Sequence, residues 1–461
     1  MTSPSHHAPG PAPAGPEAPP APGRGSLPPG AEHLLTRVGE VLKPALTHYL
    51  DLHAHPEVSG EEACTADRFG RRLAAVGCEL THGVGGHGVV GVLRNGDGPR
   101  VWLRAELDAL PMRERSGLPY ASRNDAMHAC GHDLHLAAAA GAADLLARLS
   151  DRWRGTLLVV GQPAEETLAG AAAMLRDGLY ERFGRPDVVL AQHAAPMPSG
   201  TVAHAAEQTP MAAAGAVLDV VLHGRGGHVA TPHLAVDPVV MAAAVVTRLQ
   251  SVVARETAPA DQVTLTVGTV RAGTAANVIP DHAVLGIAVR AAGEASLDRA
   301  LAAVRRIVLA ESAAAGAPRE PEVTVVSRSA ALLCDPHTTG SVRRAHTGLL
   351  GPARVLPWPG SMATEDFPLF GDAGTAIHGE RGIPLVYWML GVADPDTWRR
   401  TTSDGTTSDG TTPGGTKSDG PDAAPPPAPN HSPHFAPHIG SALRPAIAAL
   451  TIAALDRFAA V

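Results

Sequence analysis

The sequence predicts an α/β protein, a mixed-sheet domain interrupted by an inserted ferredoxin-like α+β domain. Three observations carry this. Short apolar runs alternate with Ala- and Leu-rich helical stretches through 31–212 and again through 329–461. Between them, 213–328 reads β-α-β-β-α-β, the order of a ferredoxin-like sandwich. Acidic residues and a histidine fall at the ends of three predicted strands, where open α/β sheets place their chemistry.

Taken in order, residues 1–30 are mostly Pro, Ala, Gly, Ser and His and read as a disordered tail, so His6 and His7 carry no site. Leu34, Leu35, Val38, Val41 and Leu42 recur at helical spacing, predicting a helix from Ala31 to Leu50. His53 and His55 follow, just before Pro56; either could be a ligand, but a structural role near the site is favoured. A second helix runs from Glu61 to Val76. Gly88–Leu93 and Arg100–Ala105 read as strands joined by a hairpin-type turn at Asn95-Gly96-Asp97-Gly98. The second strand leads into Glu106-Leu107-Asp108-Ala109-Leu110-Pro111. A buried helix spans Leu136–Leu149. Strand Thr156–Gly161 delivers Gln162-Pro163-Ala164-Glu165-Glu166, and strand Pro186–Ala191 delivers Gln192-His193.

In the inserted block, strands are expected at Ala216–Leu222, Val263–Val270, Ala283–Val289 and Glu322–Ser327, with helices at Asp237–Ala254 and Ser296–Ala315. Gly224 to His228 reads as a tight loop. Beyond it come a helix at Thr338–Leu350, a polar loop from Gly360 to Phe367 that opens a short helix, and a strand at Ile383–Leu390. The low-complexity stretch 394–429 reads as a surface insertion, and a final helix, Ser441–Phe458, covers the sheet.

Composition excludes some classes. The chain has 461 residues, 44% of them hydrophobic, and a formal charge of −8 with no concentrated basic patch, so nucleic acid is not an expected partner. Its four cysteines are scattered, which is no disulfide framework and fits a reducing compartment. With no signal peptide and no uninterrupted apolar run of membrane-spanning length, a cytoplasmic protein without a membrane partner is expected.

Chemistry concentrates in Met127-His128-Ala129-Cys130-Gly131-His132-Asp133-Leu134-His135, which carries imidazoles, a thiol and a carboxylate, all able to bind a transition metal when deprotonated. Gly131 lets the backbone turn so that Cys130 and His132 aim at one point. The plain alternative is a buried free cysteine among capping polar residues. Glu165 and Glu166 repel one another and both stay ionised only beside positive charge.

These segments resemble the aminoacylase and carboxypeptidase superfamily of dinuclear metallopeptidases, and within it the hippurate hydrolases and auxin-conjugate amidohydrolases. The motifs carrying the resemblance are Leu52-His53-Ala54-His55-Pro56-Glu57, Leu107-Asp108-Ala109-Leu110-Pro111, Met127 to Asp133, Gln162 to Glu166, Gly226-Gly227-His228, Asn277-Val278-Ile279-Pro280-Asp281, Met362 with Glu365-Asp366-Phe367, and His431-Ser432-Pro433. The resemblance implies metal ligands at Cys130, His132, Glu166, His193 and His431, with the thiolate bridging two divalent ions. Zinc or manganese is expected, with cobalt or nickel also admitted. It implies Glu165 as general base and His228 as oxyanion donor, often reaching the partner subunit's site. Asn277 and Arg290 are implied to hold the substrate's carbonyl and carboxylate. Asp108 is best read as an acceptor that orients a ligand. The inserted domain is implied to be a lid and homodimer contact, and the substrate a small N-acyl amino acid.

The implied reaction is amide hydrolysis by a metal-bound hydroxide, the metal lowering the pKa of its water from about 15.7 toward ~7. Two alternatives remain: a catalytically impaired binding protein, and an amidase with Cys130 as nucleophile. Three departures stand against the family pattern. Gly161 stands where Phe is usual and should loosen packing, Glu106 stands where Asp is usual, and Ala436-Pro437-His438 replaces the acidic residues usual after His-Ser-Pro.

Overall fold

A computed structural model describes residues 33–206, 208–403 and 426–459. The predicted tail at 1–30 and most of the insertion at 394–429 lie outside them. Of that insertion, Pro395–Ser403 is helical.

In chain order the strands are β1 (Glu79–Val84), β2 (Gly88–Asn95), β3 (Arg100–Glu106), β4 (Gly155–Gln162), β5 (Val188–Pro198), β6 (Val202–Ala205), β7 (Ala214–His223), β8 (Gly227–His228), β9 (Thr264–Ala272), β10 (Val278–Ile279), β11 (His282–Ala291), β12 (Glu322–Ser329), β13 (Val355–Trp358) and β14 (Leu385–Ala393). Eight of them form one mixed sheet in the order β1-β2-β4-β3-β5-β14-β6-β13. Strands β4, β3, β5 and β14 are mutually parallel. Their C-terminal ends therefore share one edge, where ligands sit in open α/β sheets.

The predicted β2–β3 hairpin does not form. β4 lies between the two, antiparallel to β2 and parallel to β3. The Asn95–Gly98 turn carries the chain past β4 instead of folding it back. Gly98 has φ +150, and a Cβ there would lie 2.9 Å from the Arg154 carbonyl oxygen, so only glycine permits this approach. β1, absent from the sequence reading, is an edge strand with little burial and no alternation to reveal it.

Side chains alternate across the large sheet. Val89 and Leu103 join a core with the helices Gly39–Ala54, Ala63–Ala74, His132–Arg148 and Ile439–Phe458. Val90 and Trp102 face the opposite core, with Met174, Leu179, Phe367 and Phe370. At Gly161 the packing is not loosened: the Phe69 ring fills the space, 2.9 Å from where a Cβ would stand.

The inserted segment builds its own antiparallel sheet, β12-β7-β11-β9, with helices Pro238–Ser251 and Glu294–Ala314 packed over a separate core. This is the ferredoxin-like arrangement. The short β8 and β10 pair with each other, so His228 lies in a two-residue strand rather than a simple loop.

Among the described residues, two helices, Pro238–Glu256 and Ile439–Phe458, are long and apolar enough to cross a membrane by length and composition alone. The sequence reading counted neither, since Arg248 interrupts one and Arg444 and Pro445 the other. Protein contacts account for the apolar character of the second and for one face of the first, whose Val239, Val240 and Val253 stay exposed. Ala446 to Ala449 are fully buried in the main core, and Met241, Val245 and Leu249 face the inserted sheet.

Candidate metal centre

Gly131, at φ +84, caps the helix His132–Arg148, and a Cβ there would stand 2.8 Å from Ala194 Cβ. That turn puts His132 in the first helical turn with Cys130 just before it. From the strand ends arrive Asp108 after β3 and Glu165 and Glu166 after β4, while His193 lies within β5. His431 arrives from the far end of the chain, with its backbone in the left-handed region at φ +63, an uncommon and strained conformation for histidine.

The side chains converge. Cys130 Sγ lies 3.3 Å from His193 Nε2 and 3.5 Å from His431 Nε2. His431 Nε2 is 3.3 Å from Glu166 Oε2. Metal–sulfur and metal–nitrogen bonds of about 2.3 and 2.0 Å at tetrahedral angles separate donors by ~3.5 Å, so these spacings suit ligands of common ions. Two sets share the thiol, Cys130–His132–His193 and Cys130–Glu166–His431, each with donor atoms within 4.8 Å of one another.

Hydrogen bonds aim the free lone pairs inward. His132 Nδ1 donates to the Asp108 carbonyl at 2.8 Å, and His193 Nδ1 donates to the Ala194 carbonyl at 2.9 Å. In the neutral tautomer these bonds select, each ring turns the Nε2 lone pair toward the cluster. His132 Nε2 and Glu166 Oε1 are buried without hydrogen-bond partners, a costly state that a cation relieves. The Asp108 carboxylate accepts from Ser59 Oγ at 2.7 Å and from the Glu166 N–H at 2.9 Å, so Asp108 braces two of the five candidate ligands.

The electrostatics point the same way. Burial raises a thiol pKa, yet the His193, His132 and His431 imidazoles outweigh it and hold Cys130 well below its ordinary range. Bonds to Cys130 and Glu166 push His431 up to about 10. Burial opposes charge on His193, but the thiolate still lifts it to about 9. The thiolate and carboxylates thus gather negative charge at one point, a charge that divalent cations complement. Burial, then Glu365 and Glu166, raise Glu165 well above the carboxylate range. Its Oε2 stands 3.7 Å from His132 Nε2.

A third group, His132–Glu165–Glu166, lies within the cluster, and two more beside it, Glu106–His132–His135 and Glu165–Glu365–Asp366, also bring donor atoms within 4.8 Å. The chemistry of those two is already taken. The buried Arg104 guanidinium bonds Glu106, reaches Glu365 at 2.9 Å and Asp366 at 3.0 Å, and its Nε donates to Gln162 at 2.8 Å. His135 donates from Nδ1 to Glu106 at 2.7 Å and accepts the Ala194 N–H on Nε2 at 2.8 Å. The Glu106 departure thus has a defined place: the longer carboxylate braces His135, which holds the peptide after His193.

The sequence reading missed Arg104, Ser59 and Asn430, and named His135 only as one imidazole of the Met127–His135 stretch. Asn430 donates to the Ala194 carbonyl at 3.0 Å beside the cluster. The Glu365-Asp366 pair was singled out only as a motif.

The residues of the inserted domain are not brought to this cluster. His228 is exposed, its Nδ1 accepting the Ala230 N–H at 3.0 Å, and Asn277 is exposed next to β10. Arg290 donates from Nη1 to the Met362 carbonyl rather than facing the thiolate. Among the described residues, none of the three belongs to a candidate metal group.

Fold and site together define a metal-binding α/β protein with an inserted ferredoxin-like domain, its candidate ligands gathered at the C-terminal edge of a mixed sheet. Residues 102–394 match the model for peptidase family M20/M25/M40, and the chain belongs to that family. It is 40% identical over 242 residues to the hippurate hydrolase of Campylobacter jejuni, covering 52% of this chain and 62% of that protein. It is 38% identical over 242 residues to the N-acetyl-L-cysteine deacetylase of Bacillus subtilis, covering 52% and 57%. An IAA-amino acid hydrolase of Arabidopsis thaliana is also 38% identical, over 52% of this chain and 54% of its own length. The aligned segments thus span between 54% and 62% of these relatives. Among solved structures, a dinuclear metal-binding M20 peptidase from Bacillus subtilis superposes with a TM-score of 0.67 at 25% identity, over 91% of this chain and 99% of that one. The aminobenzoyl-glutamate utilization protein of Klebsiella pneumoniae shares the fold, with a TM-score of 0.63 at 19% identity, over 92% and 98%.

Proposed function

We propose that the protein is a metal-dependent amidohydrolase that cleaves N-acyl amino acids or similar conjugates. The observation that carries the reading is the convergence of Cys130, two tautomer-fixed imidazoles, Glu166 and His431 beside a carboxylate, Glu165, that is in neither thiol-sharing set. Hippurate, N-acetylcysteine and IAA-amino acids, named in the relatives, are all N-acyl amino acids.

In this reading Cys130, His132, Glu166, His193 and His431 hold two divalent ions, zinc or manganese by donor type. When bound, the ions supply a water acidic enough to be deprotonated near neutrality and polarise the amide carbonyl. Glu165, whose Oε2 stands 3.7 Å from His132 Nε2, would accept a proton from the attacking water and return it to the leaving amine once neighbouring positive charge holds it ionised. Asp108 keeps His132 and Glu166 oriented. His228 supplies an oxyanion donor to the site of a second copy, which its exposure favours, and Asn277 and Arg290 hold the substrate's carbonyl and carboxylate. We place the lid and dimerisation unit at 213–328, on the strength of its separate sheet and core, flanked by catalytic segments 31–212 and 329–461. The four free cysteines favour the cytoplasm.

A hydrolysis screen of the metal-loaded protein against N-acetyl, N-benzoyl and indole-acyl amino acids tests the reading, with and without EDTA. The expected result is chelator-sensitive release of amino acid. Chelator-resistant turnover would instead favour Cys130 as nucleophile, for which the 3.3 Å approach of His193 Nε2 to its sulfur is the supporting contact. No turnover at full metal occupancy would favour a binding protein.

A further inference from the structure

The Leu52–Glu57 motif has no part in the chemistry above, yet His53 is only 1% exposed. Its Nδ1 stands 2.6 Å from Asp133 Oδ2 and its Nε2 stands 3.2 Å from Glu114 Oε1. Both carboxylates are buried, and one ring serves two of them only as an imidazolium with both nitrogens donating. Asp133 directly follows His132. Glu114 lies in the irregular chain between β3 and the helix His132–Arg148, where it also accepts the Ser122 N–H at 2.7 Å.

The next residue carries the connection onward. The Arg115 N–H donates to the Pro433 carbonyl at 2.7 Å, and the Arg115 carbonyl accepts from His434 Nδ1 at 2.8 Å. These two bonds clasp the segment that carries His431. That segment needs clasping, because the His431 backbone is strained and its side chain is 54% exposed. Its other anchors are the His431 N–H on the Ala129 carbonyl, at 2.9 Å, and Asn430.

We infer that His53 is a positioning residue that ties the Glu114 loop to the helix end bearing His132 and, through Arg115, holds His431 within reach of Cys130 and Glu166. This rests on the metal-centre reading. It follows that the ion held by Cys130, Glu166 and His431 depends on His53, whereas the ion held by Cys130, His132 and His193 does not.

The test uses the full chain loaded with Zn²⁺, with zinc counted per chain and its release followed with a colorimetric chelator. His53→Gln leaves one amide nitrogen, which cannot span both carboxylates. His434→Ala removes an exposed side chain and one of the two clasping bonds, so it decides the matter if His53→Gln does not fold. The expected result is one zinc released at the wild-type rate and the other at least tenfold faster, with the melting temperature of metal-free His434→Ala unchanged. Release of both ions at wild-type rates overturns the inference, as does equal acceleration of both. A wild-type chain that binds no zinc overturns the metal-centre reading and this inference with it. Two zinc ions in the wild type with unaltered variants overturn this inference alone.

Discussion

Glu165→Gln separates the base from the ligands. The exchange is nearly isosteric at a buried position, so packing is conserved and only the charge and the proton acceptor are lost. Glu365 and Asp366 have oxygens within 4.8 Å of Glu165, as does Glu166. An ionised carboxylate pair at that separation costs ~3 kcal/mol at an effective dielectric constant of ~20. That repulsion and burial keep Glu165 protonated in the metal-free chain, so the amide replaces a neutral group and the metal-free variant is expected to melt close to the wild type. The ions are retained, because Cys130, His132, Glu166, His193 and His431 are untouched. Turnover, by contrast, loses the proton transfer, expected at ~10²–10⁴-fold in kcat, or about 3–5 kcal/mol of barrier. The assay is steady-state hydrolysis of the best substrate from the acyl-amino-acid screen, alongside metal content and a thermal melt of the same sample. Activity within tenfold of wild type at full metal content would refute the assignment of Glu165 as base.

Other outcomes follow from the same contacts. Asp108→Asn keeps the backbone carbonyl under His132 but weakens the acceptor for Ser59 and Glu166, and metal affinity by titration should fall ~10–100-fold; unchanged affinity would show that the carboxylate braces nothing. Arg104→Met strands Glu106, Glu365 and Asp366 without their buried cation, so urea denaturation should reveal a loss of about 3–5 kcal/mol, and an unchanged midpoint would contradict the network. Burial lowers His48 and His346 to about 4 from an unfolded value of 6.5. Their contribution is complete above pH 6.5 and is lost as pH falls toward 4, by about 3 kcal/mol each. Urea midpoints should therefore drop over that interval, and drop less in His48→Leu; a variant as acid-sensitive as the wild type would exclude His48.

Much of this architecture is legible in the sequence because it is local. Apolar runs mark β3, β4 and β5, and the carboxylates and histidine that follow them or lie within them form the site edge. The Cys130-Gly131-His132 turn is readable from three adjacent residues. What escaped depends on contacts distant in sequence. The Asn95–Gly98 turn looks like a hairpin until β4, delivered some sixty residues later, enters between its flanking strands. Arg104 reads as one more charge in a strand, and its role emerges only when Glu365 and Asp366 arrive from positions 261 and 262 residues away. Likewise nothing in the LHAHPE motif announces that His53 is buried between Asp133 and Glu114 while His55 faces solvent. His228 and Asn277 were placed by family pattern, and within one chain they lie outside the candidate metal groups, at the paired strands β8 and β10.

The most direct test is X-ray absorption at the zinc edge of the fully loaded protein. The expectation is two zinc ions per chain, sulfur at about 2.3 Å alongside nitrogen and oxygen at about 2.0 Å, and a metal–metal vector of ~3.5–4 Å. A spectrum with no sulfur neighbour, or a single isolated ion at saturation, would contradict it.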